Sequence, residues 1–380
     1  MTKTYRLIIL GAGFSQPAGL PLGHNLFQAV RDSLRDEYGQ SNSVERDLLK
    51  YIQYVNACGE GVQTAETIDC EHFLSYLDVE HYLRLNGGDT WSDEGNVSQL
   101  MVRRAIAKVL LEKTPKEPPA LYRQFVRRLN PSDKIFTFNY DTLLENALET
   151  ERIPYRLFPH RFSDIGWAGN TVDSSKEEVV LLKLHGSIDW FDRAVYEQQV
   201  SDEQQCSVHF HVKHPVFADD RIVTPFPLTD GLRSENDPLA KLYRVCDTNP
   251  LLARGFRGCC PLILSPSHTK LFYVQPLRDF WQELGSQGLA NSSLTVVGYS
   301  LPTYDSYVRQ VFYRVFSNYT GYLPDMVIEG RRKTNIRILD YSPNDSSGAA
   351  IRTRYPFADW GRTDLRLDGF TEKNLDWLLG

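Results

Sequence analysis

YRLIIL, Tyr5–Leu10, runs directly into GAGFSQPAGLP, Gly11–Pro21. A near-continuous apolar run of this length suits a strand buried on both faces, as in a parallel sheet. Gly11 and Gly13 permit tight backbone geometry where that strand ends, and N–H groups at the start of a following helix can bind a pyrophosphate. The pattern is not a full G-x-G-x-x-G, because Gln16 holds the third position. An acidic residue closing a second strand about twenty positions on, as in dinucleotide-binding dehydrogenases, is also missing. The turn alone therefore leaves two readings open, a phosphate cradle or an ordinary strand-to-helix turn.

Working outward, the same kind of run recurs at Lys134–Phe138, Val179–Leu184, Pro261–Ser265, Leu294–Gly298 and Asn335–Asp340. Between these runs, apolar residues fall at three- and four-residue spacing over Leu26–Tyr38, Val44–Ala57, Val97–Leu111, Leu121–Leu129, Thr142–Leu148, Phe280–Leu284 and Tyr304–Phe316. Alternating strands and helices predict an α/β fold, a Rossmann-like parallel sheet flanked by helices. Two intervals exceed a simple crossover. Residues of about 24–130 read as a helical insertion after the first strand, with an exposed polar loop at Asn86–Gly95. Residues of about 186–258 read as a second insertion, a small module closing over the sheet edge. The main domain is expected over 1–345 and a C-terminal extension, ending in an amphipathic piece, over 346–380.

Composition narrows the classes. The chain has 380 residues, 42% of them hydrophobic and 24% charged, with a net charge of -6. That is enough apolar material for a core, and the acidic balance argues against nucleic acid as the main ligand. No apolar stretch reaches the ~18 residues of a membrane span. The N-terminal run lacks a cleavage site and reads as a buried strand rather than a signal peptide, so a cytoplasmic location is expected. The six cysteines, Cys58, Cys70, Cys206, Cys246, Cys259 and Cys260, form no C-x-x-C pair, and no structural zinc site is expected. His209, His211 and His214 form H-x-H-x-x-H without an evident carboxylate partner, so no metal is expected there either.

Four further motifs carry candidate chemistry. In IFTFNYD, Ile135–Asp141, polar Thr137, Asn139 and Asp141 alternate at a strand's carboxyl end, where open α/β sheets bind ligands. Asp141 can equally cap the helix that follows. In LLKLHGSIDW, Leu181–Trp190, His185 ends another apolar strand, placed either as a general base or as a histidine bonded within the fold. In VVGYSLPTYD, Val296–Asp305, Gly298, Ser300 and Asp305 offer a second phosphate or ribose contact, or a capped turn. In ILDYSPND, Ile338–Asp345, the polar residues Asp340, Asn344 and Asp345 suit an adenosine ribose or a surface turn.

Taken in order, GAGFS, a long helical gap, TFNYD, LHG and VGYSLPTYD resemble the sirtuin family, and more closely the sirtuin-like NADases of bacterial antiphage defence. The likeness spans roughly residues 5 to 345. Two C-x-x-C zinc pairs typical of protein-deacetylating sirtuins are missing. Phe138 and Tyr140 flank Asn139 where those enzymes read T-Q-N-I-D, and Pro21 leads into LGH instead of P-D-F-R. These departures count against an acyl-lysine groove and leave the NAD site intact.

The resemblance implies that Gly11, Ala12, Gly13 and Ser15 hold the pyrophosphate. Gly298, Ser300 and Asp305 add cofactor contacts. Asn139 holds the nicotinamide ribose or a water near C1′, Asp141 binds or orients it, and His185 accepts a proton. It implies cleavage of NAD, as substrate, to nicotinamide and ADP-ribose, or alternatively protein deacylation, ADP-ribosyl transfer, or NAD sensing without turnover. With no sensor domain recognisable, it further implies a homo-oligomer and a separate activating partner: a HerA-like ATPase, a nucleotide-sensing protein or a short Argonaute module.

Overall fold

Side chains alternate between the two faces of a strand, yet Leu7, Ile8, Ile9 and Leu10 are all buried, so the first strand needs cover on both sides. The computed structural model describes residues 5–59, 63–85, 95–131, 133–159, 176–205, 213–230, 237–268, 275–302, 305–321, 327–328, 331–345 and 347–380. Its strands are β1 (Tyr5–Leu10), β2 (Lys134–Thr137), β3 (Tyr155–Arg156), β4 (Val179–Lys183), β5 (Trp190–Asp192), β6 (Pro225–Pro227), β7 (Leu242–Val245), β8 (Asn291–Val297), β9 (Val327–Ile328), β10 (Arg331–Arg332), β11 (Ile336–Leu339) and β12 (Thr363–Arg366). Seven of them form one sheet in the order β12-β11-β8-β1-β2-β4-β3, with every neighbouring pair parallel. This is the α/β, Rossmann-like parallel sheet with flanking helices that the spacing predicts.

The order of strands positions the site. From β1 the chain builds β2, β4 and β3 on one side, then returns to lay β8, β11 and β12 on the other. The strand order thus reverses between β1 and β8, the kind of place where an open parallel sheet has its crevice, outside the carboxyl ends of the strands.

Between β1 and β2 lie the helices Gly23–Tyr38, Ser43–Ala57, Cys70–Tyr82, Val97–Lys113 and Ala120–Arg127. Their starts follow local chemistry. Asn42 accepts from Glu45 N, and Asp69 accepts from Glu71 N and His72 N. Asn96 and Gln99 form a reciprocal capping box. The expected polar loop at Asn86–Gly95 falls outside the described residues except for Gly95. The stretch after β4 contains the helix Arg193–Gln205 and a three-stranded antiparallel sheet, β5-β7-β6.

Two departures from expectation stand out. Pro261–Ser265 is not a strand of the sheet. Ile263 makes a single antiparallel bridge to Gly186, and Leu264 N donates to His185 O at 2.8 Å. The segment braces the turn after β4 instead. The stretch from residue 347 onward, set apart in sequence as an extension, supplies the edge strand β12, which pairs with β11. Among the described residues no helix is long and apolar enough to cross a membrane.

Candidate active site

The crevice is a cavity of about 400 Å3. That lies within the ~300–1,000 Å3 of small-molecule sites. Its floor is made by the carboxyl ends of five strands: Ala12, Gly13 and Ser15 after β1, Phe138 to Asp141 after β2, His185 after β4, Gly298 to Ser300 after β8, and Asp340 after β11. Asp305 closes one side. Its roof is apolar: Leu26, Phe27 and Val30 of one insertion helix, and Val102, Ile106 and Leu110 of another. Asn139 and His185, far apart in the chain, thus face the same enclosed space.

Asn139 is held rigidly. Its Nδ2 donates to Gly11 O and to Ser15 Oγ, both at 3.0 Å. A carbonyl can only accept, so the amide's orientation is determined and Oδ1 is the atom it can offer a ligand. Ser15 Oγ in turn donates to Asp141 Oδ2 at 2.9 Å, while Asp141 Oδ1 accepts from Leu143 N at 3.0 Å. Both carboxylate oxygens of Asp141 are therefore engaged. The residue starts the helix Leu143–Thr150 and fixes Ser15, which fixes Asn139. The bond from Leu143 N to Asp141 is compatible with a ligand role for Asn139 Oδ1.

His185 is buried among rings. Phe138 meets it edge-on at 5.1 Å, and Trp281 lies 5.9 Å away. Its Nε2 is 3.2 Å from the Tyr307 hydroxyl. Beneath it, Lys183 is wholly buried and bonds Glu145 Oε1 at 2.7 Å and the carbonyl of Asp141. Burial pushes the Glu145 carboxyl upward, and Lys183 partly offsets this. The pair ties the ends of β2 and β4 together from below.

Gly11 and Gly13 do something other than expose their amides. Gly11 N donates to Val297 O and Gly13 N to Gly298 O, each at 2.9 Å. Gly11 is not among the lining residues. A Cβ on Gly13 would stand 2.7 Å from Gly298 Cα, so the two turns interlock at backbone distance. Gly13, Ala12 and Ser15 still face the cavity.

Four carboxyl groups line the cavity, Glu71, Asp141, Asp305 and Asp340, and among its described lining residues there is no lysine or arginine. Tyr299 stacks on Phe138 with centroids 4.2 Å apart and donates to Asp305 Oδ2 at 3.0 Å. Burial raises the Asp340 carboxyl above its usual range. The Cys70 thiol is pushed up to about 12 by burial and by the nearby Glu71 and Asp69 charges, which keeps it protonated.

Asn344 and Asp345 do not line the cavity. Asp345 instead accepts from Ala349 N and Ala350 N at the start of the helix Ala349–Arg354, so that motif divides between a cavity residue, Asp340, and a surface turn. His214 Nδ1 lies 3.3 Å from Val216 N and Phe217 N, an acceptor closing a turn. Burial, with Arg104 nearby, lowers its pKa to about 4. His209 and His211 lie outside the described residues, as do Cys206, Thr303 and Tyr304. The motifs did not single out Tyr307, Lys183, Cys70 or Glu71. Tyr307 follows Asp305 closely enough that the same motif, extended by one helical turn, contains it.

A family model described as a SIR2-like domain matches residues 133–209, the stretch holding Asn139, Asp141 and His185. No curated protein matches. Solved sirtuin structures are similar. One, described as "The Structural basis of Sirtuin Substrate Affinity", is 12% identical, with 98% of this chain and 92% of that chain covered and a TM-score of 0.31. Another, "Structure of Sir2Tm bound to a propionylated peptide", is 10% identical, with 99% and 92% covered and a TM-score of 0.32. The chemistry of the site rests on its own geometry.

Proposed function

We propose that the protein is an NAD hydrolase that cleaves the nicotinamide–ribose bond to give nicotinamide and ADP-ribose. The observation that carries this reading is the convergence of a rigid amide acceptor, Asn139 Oδ1, and an imidazole, His185, on one acid-lined cavity at the switch point of a parallel sheet. The C1′–N bond breaks with its electron pair leaving on nicotinamide, which departs neutral from a cationic ring. Water oxygen adds to C1′, and His185 takes the proton.

Positive charge spreads over the ribose as the bond breaks. Carboxylates facing the cavity stabilise that charge more than they stabilise bound substrate. At an effective dielectric of ~20, a carboxylate about 4 Å from a full charge is worth about 4 kcal/mol. Since ~1.4 kcal/mol is tenfold in rate, even half that effect matters as much as the general base. The lack of lysine and arginine among the described lining residues suits a cationic ring. The pyrophosphate would rest against Ala12, Gly13 and Ser15, with Gly298 and Ser300 opposite.

In this reading the enzyme serves antiphage defence by depleting NAD when triggered. It works as a homo-oligomer in the cytoplasm with a separate activating protein, of HerA-like ATPase, nucleotide-sensing or short Argonaute type. The test is nicotinamide release from NAD alone, with and without proteins encoded beside this one. Release without any peptide is expected from the wild type. His185→Ala should lower it by ~10²–10⁴, and Asn139→Ala should lower it severely too. Wild-type protein that turns over NAD only with an acyl-lysine peptide would transfer the site to deacylation. Stable NAD binding with no nicotinamide released over hours would make it a sensor.

A further inference from the structure

A second cavity, of about 260 Å3, borders the helix Val97–Lys113. That helix sends Val102 and Ile106 to the active cavity, and Arg103 and Arg104 to this one. The two cavities share none of their described lining residues, and their chemistry is opposite. The first has four carboxyl groups and no described lysine or arginine. The second has two arginines against one carboxylate, Asp192, so positive charge is in excess there although the chain as a whole carries -6.

Two donors on this cavity lack acceptors. Arg104 Nε donates to Cys259 O at 2.8 Å, which anchors the guanidinium. Neither Nη has a hydrogen bond or a carboxylate partner among the described residues. His214 is buried, and its Nδ1 accepts from Val216 N and Phe217 N, both at 3.3 Å. A ring nitrogen that accepts carries no proton, so the one proton of the neutral imidazole sits on Nε2. Burial and the neighbouring Arg104 charge hold the pKa at about 4, which keeps the ring neutral at physiological pH. This N–H too has no partner among the described residues. Unpaired donors at a buried site are costly, and a charged one among them calls for an anion. We propose that the second cavity binds a small oxyanion, a phosphate or carboxylate group whose oxygens accept from Arg104 Nη and His214 Nε2. Phe191, Val195, Leu262 and Pro276 give it an apolar wall on which a compact organic body can rest. A dinucleotide is too large, since the volume falls below the ~300–1,000 Å3 of ordinary small-molecule sites. The inference does not depend on the hydrolytic reading of the active cavity.

The test is isothermal titration calorimetry at fixed ionic strength with phenyl phosphate, benzoate and inorganic phosphate, on the wild type, Arg104→Met and Val195→Trp. Methionine keeps much of the arginine's apolar stem and removes its charge. Val195 is a half-buried position of the helix Arg193–Gln205 on the cavity wall, and tryptophan there fills the space without removing the bond from Arg104 to Cys259. The wild type should bind at least one of the three probes at one site per chain. Arg104→Met should weaken that binding by roughly 10- to 100-fold, the scale of hydrogen bonds to a charged group, and Val195→Trp should abolish it. Phenyl phosphate binding best identifies a phosphate ester, benzoate a carboxylate, and inorganic phosphate the free ion. No saturable heat from any probe overturns the proposal. So does binding that is unchanged in Arg104→Met, which would place the anion elsewhere in the molecule. Melting temperatures close to wild type separate loss of the site from loss of fold. If Arg104→Met does not fold, Val195→Trp decides alone, and binding that survives the filled cavity overturns the assignment.

Discussion

Asp340 ends β11 inside the cavity, and burial holds its carboxyl above the ordinary range although Tyr341 N donates to it at 2.8 Å. A raised carboxyl means that the folded chain binds this proton more readily than the unfolded chain. Stability is then diminished at neutral pH, where the group is ionised, and recovers as pH falls through the folded value. Asp340→Asn should raise the melting temperature at neutral pH by on the order of 1–2 °C. The difference should vanish below the usual carboxylate pKa of ~4, where both states carry the proton. Equal melting curves at every pH would show that the cavity solvates this group as well as bulk water does. Which residues were legible in the sequence follows the same logic of environment. Asn139, Asp141 and His185 stood out because a polar side chain ending an apolar strand has to answer to something. Glu71 and Cys70 did not, since an acid and a thiol in the first turn of a helix look the same whether they face solvent or a cavity.

At the scale of elements, the sheet was legible and its environment was not. Runs such as VVLLK in β4 declare two-sided burial, whereas TDLR in β12 alternates threonine, charge and leucine and makes no such declaration. PLILS reads as a strand locally, but its neighbours are turns after β4, and a ladder needs a partner strand. Amphipathic helices announce that one face is covered without saying what covers it, so the roof of the cavity over β1 and β2 could not be foreseen. The contact between the turns leaving β1 and β8 tests how much depends on two elements meeting. Gly298 has φ +61°, and a Cβ there would sit 2.5 Å from Gly13 Cα, Gly13 C and Phe14 N, all backbone. Neither turn has a flexible side chain that could yield. Gly298→Ala should therefore cost more than the ~1–2 kcal/mol of positive-φ strain alone. A drop of several degrees in melting temperature and loss of ligand protection are expected together. A variant melting within 1 °C of wild type, by the ~2–4 °C per kcal/mol scale for large domains, would show that the turns can separate.

For the molecule as a whole, the open question is whether residues 347–380 are an appendage or part of the fold, and their contacts reach places far apart in the chain. Phe370 packs on Phe14 at 4.6 Å and on Tyr122 and Phe125 at 5.6 Å, directly behind the turn that carries Gly13 and Ser15. The Tyr355 hydroxyl donates to Tyr299 O at 2.6 Å, bracing the turn after β8. At the opposite end of the sheet, Arg6 is clamped between Asp133, at 2.6 Å, and the carbonyl of Leu379. Ile351, Tyr355, Phe370, Leu375 and Leu378 are all buried. Fully burying such a side chain is worth ~1.5–3 kcal/mol, so five of them amount to about 7–15 kcal/mol. Total domain stability is itself ~5–15 kcal/mol. Truncation after Asp345 would also bare the edge of β11, whose N–H and C=O groups would then be free to pair with another chain. The shortened protein should be insoluble, or should lack a cooperative thermal transition, and nicotinamide release should be absent for that reason. A soluble truncated chain that melts at the wild-type temperature and still binds NAD would place these residues outside the folding unit, and would mean that the turns around the cavity are held by the sheet alone.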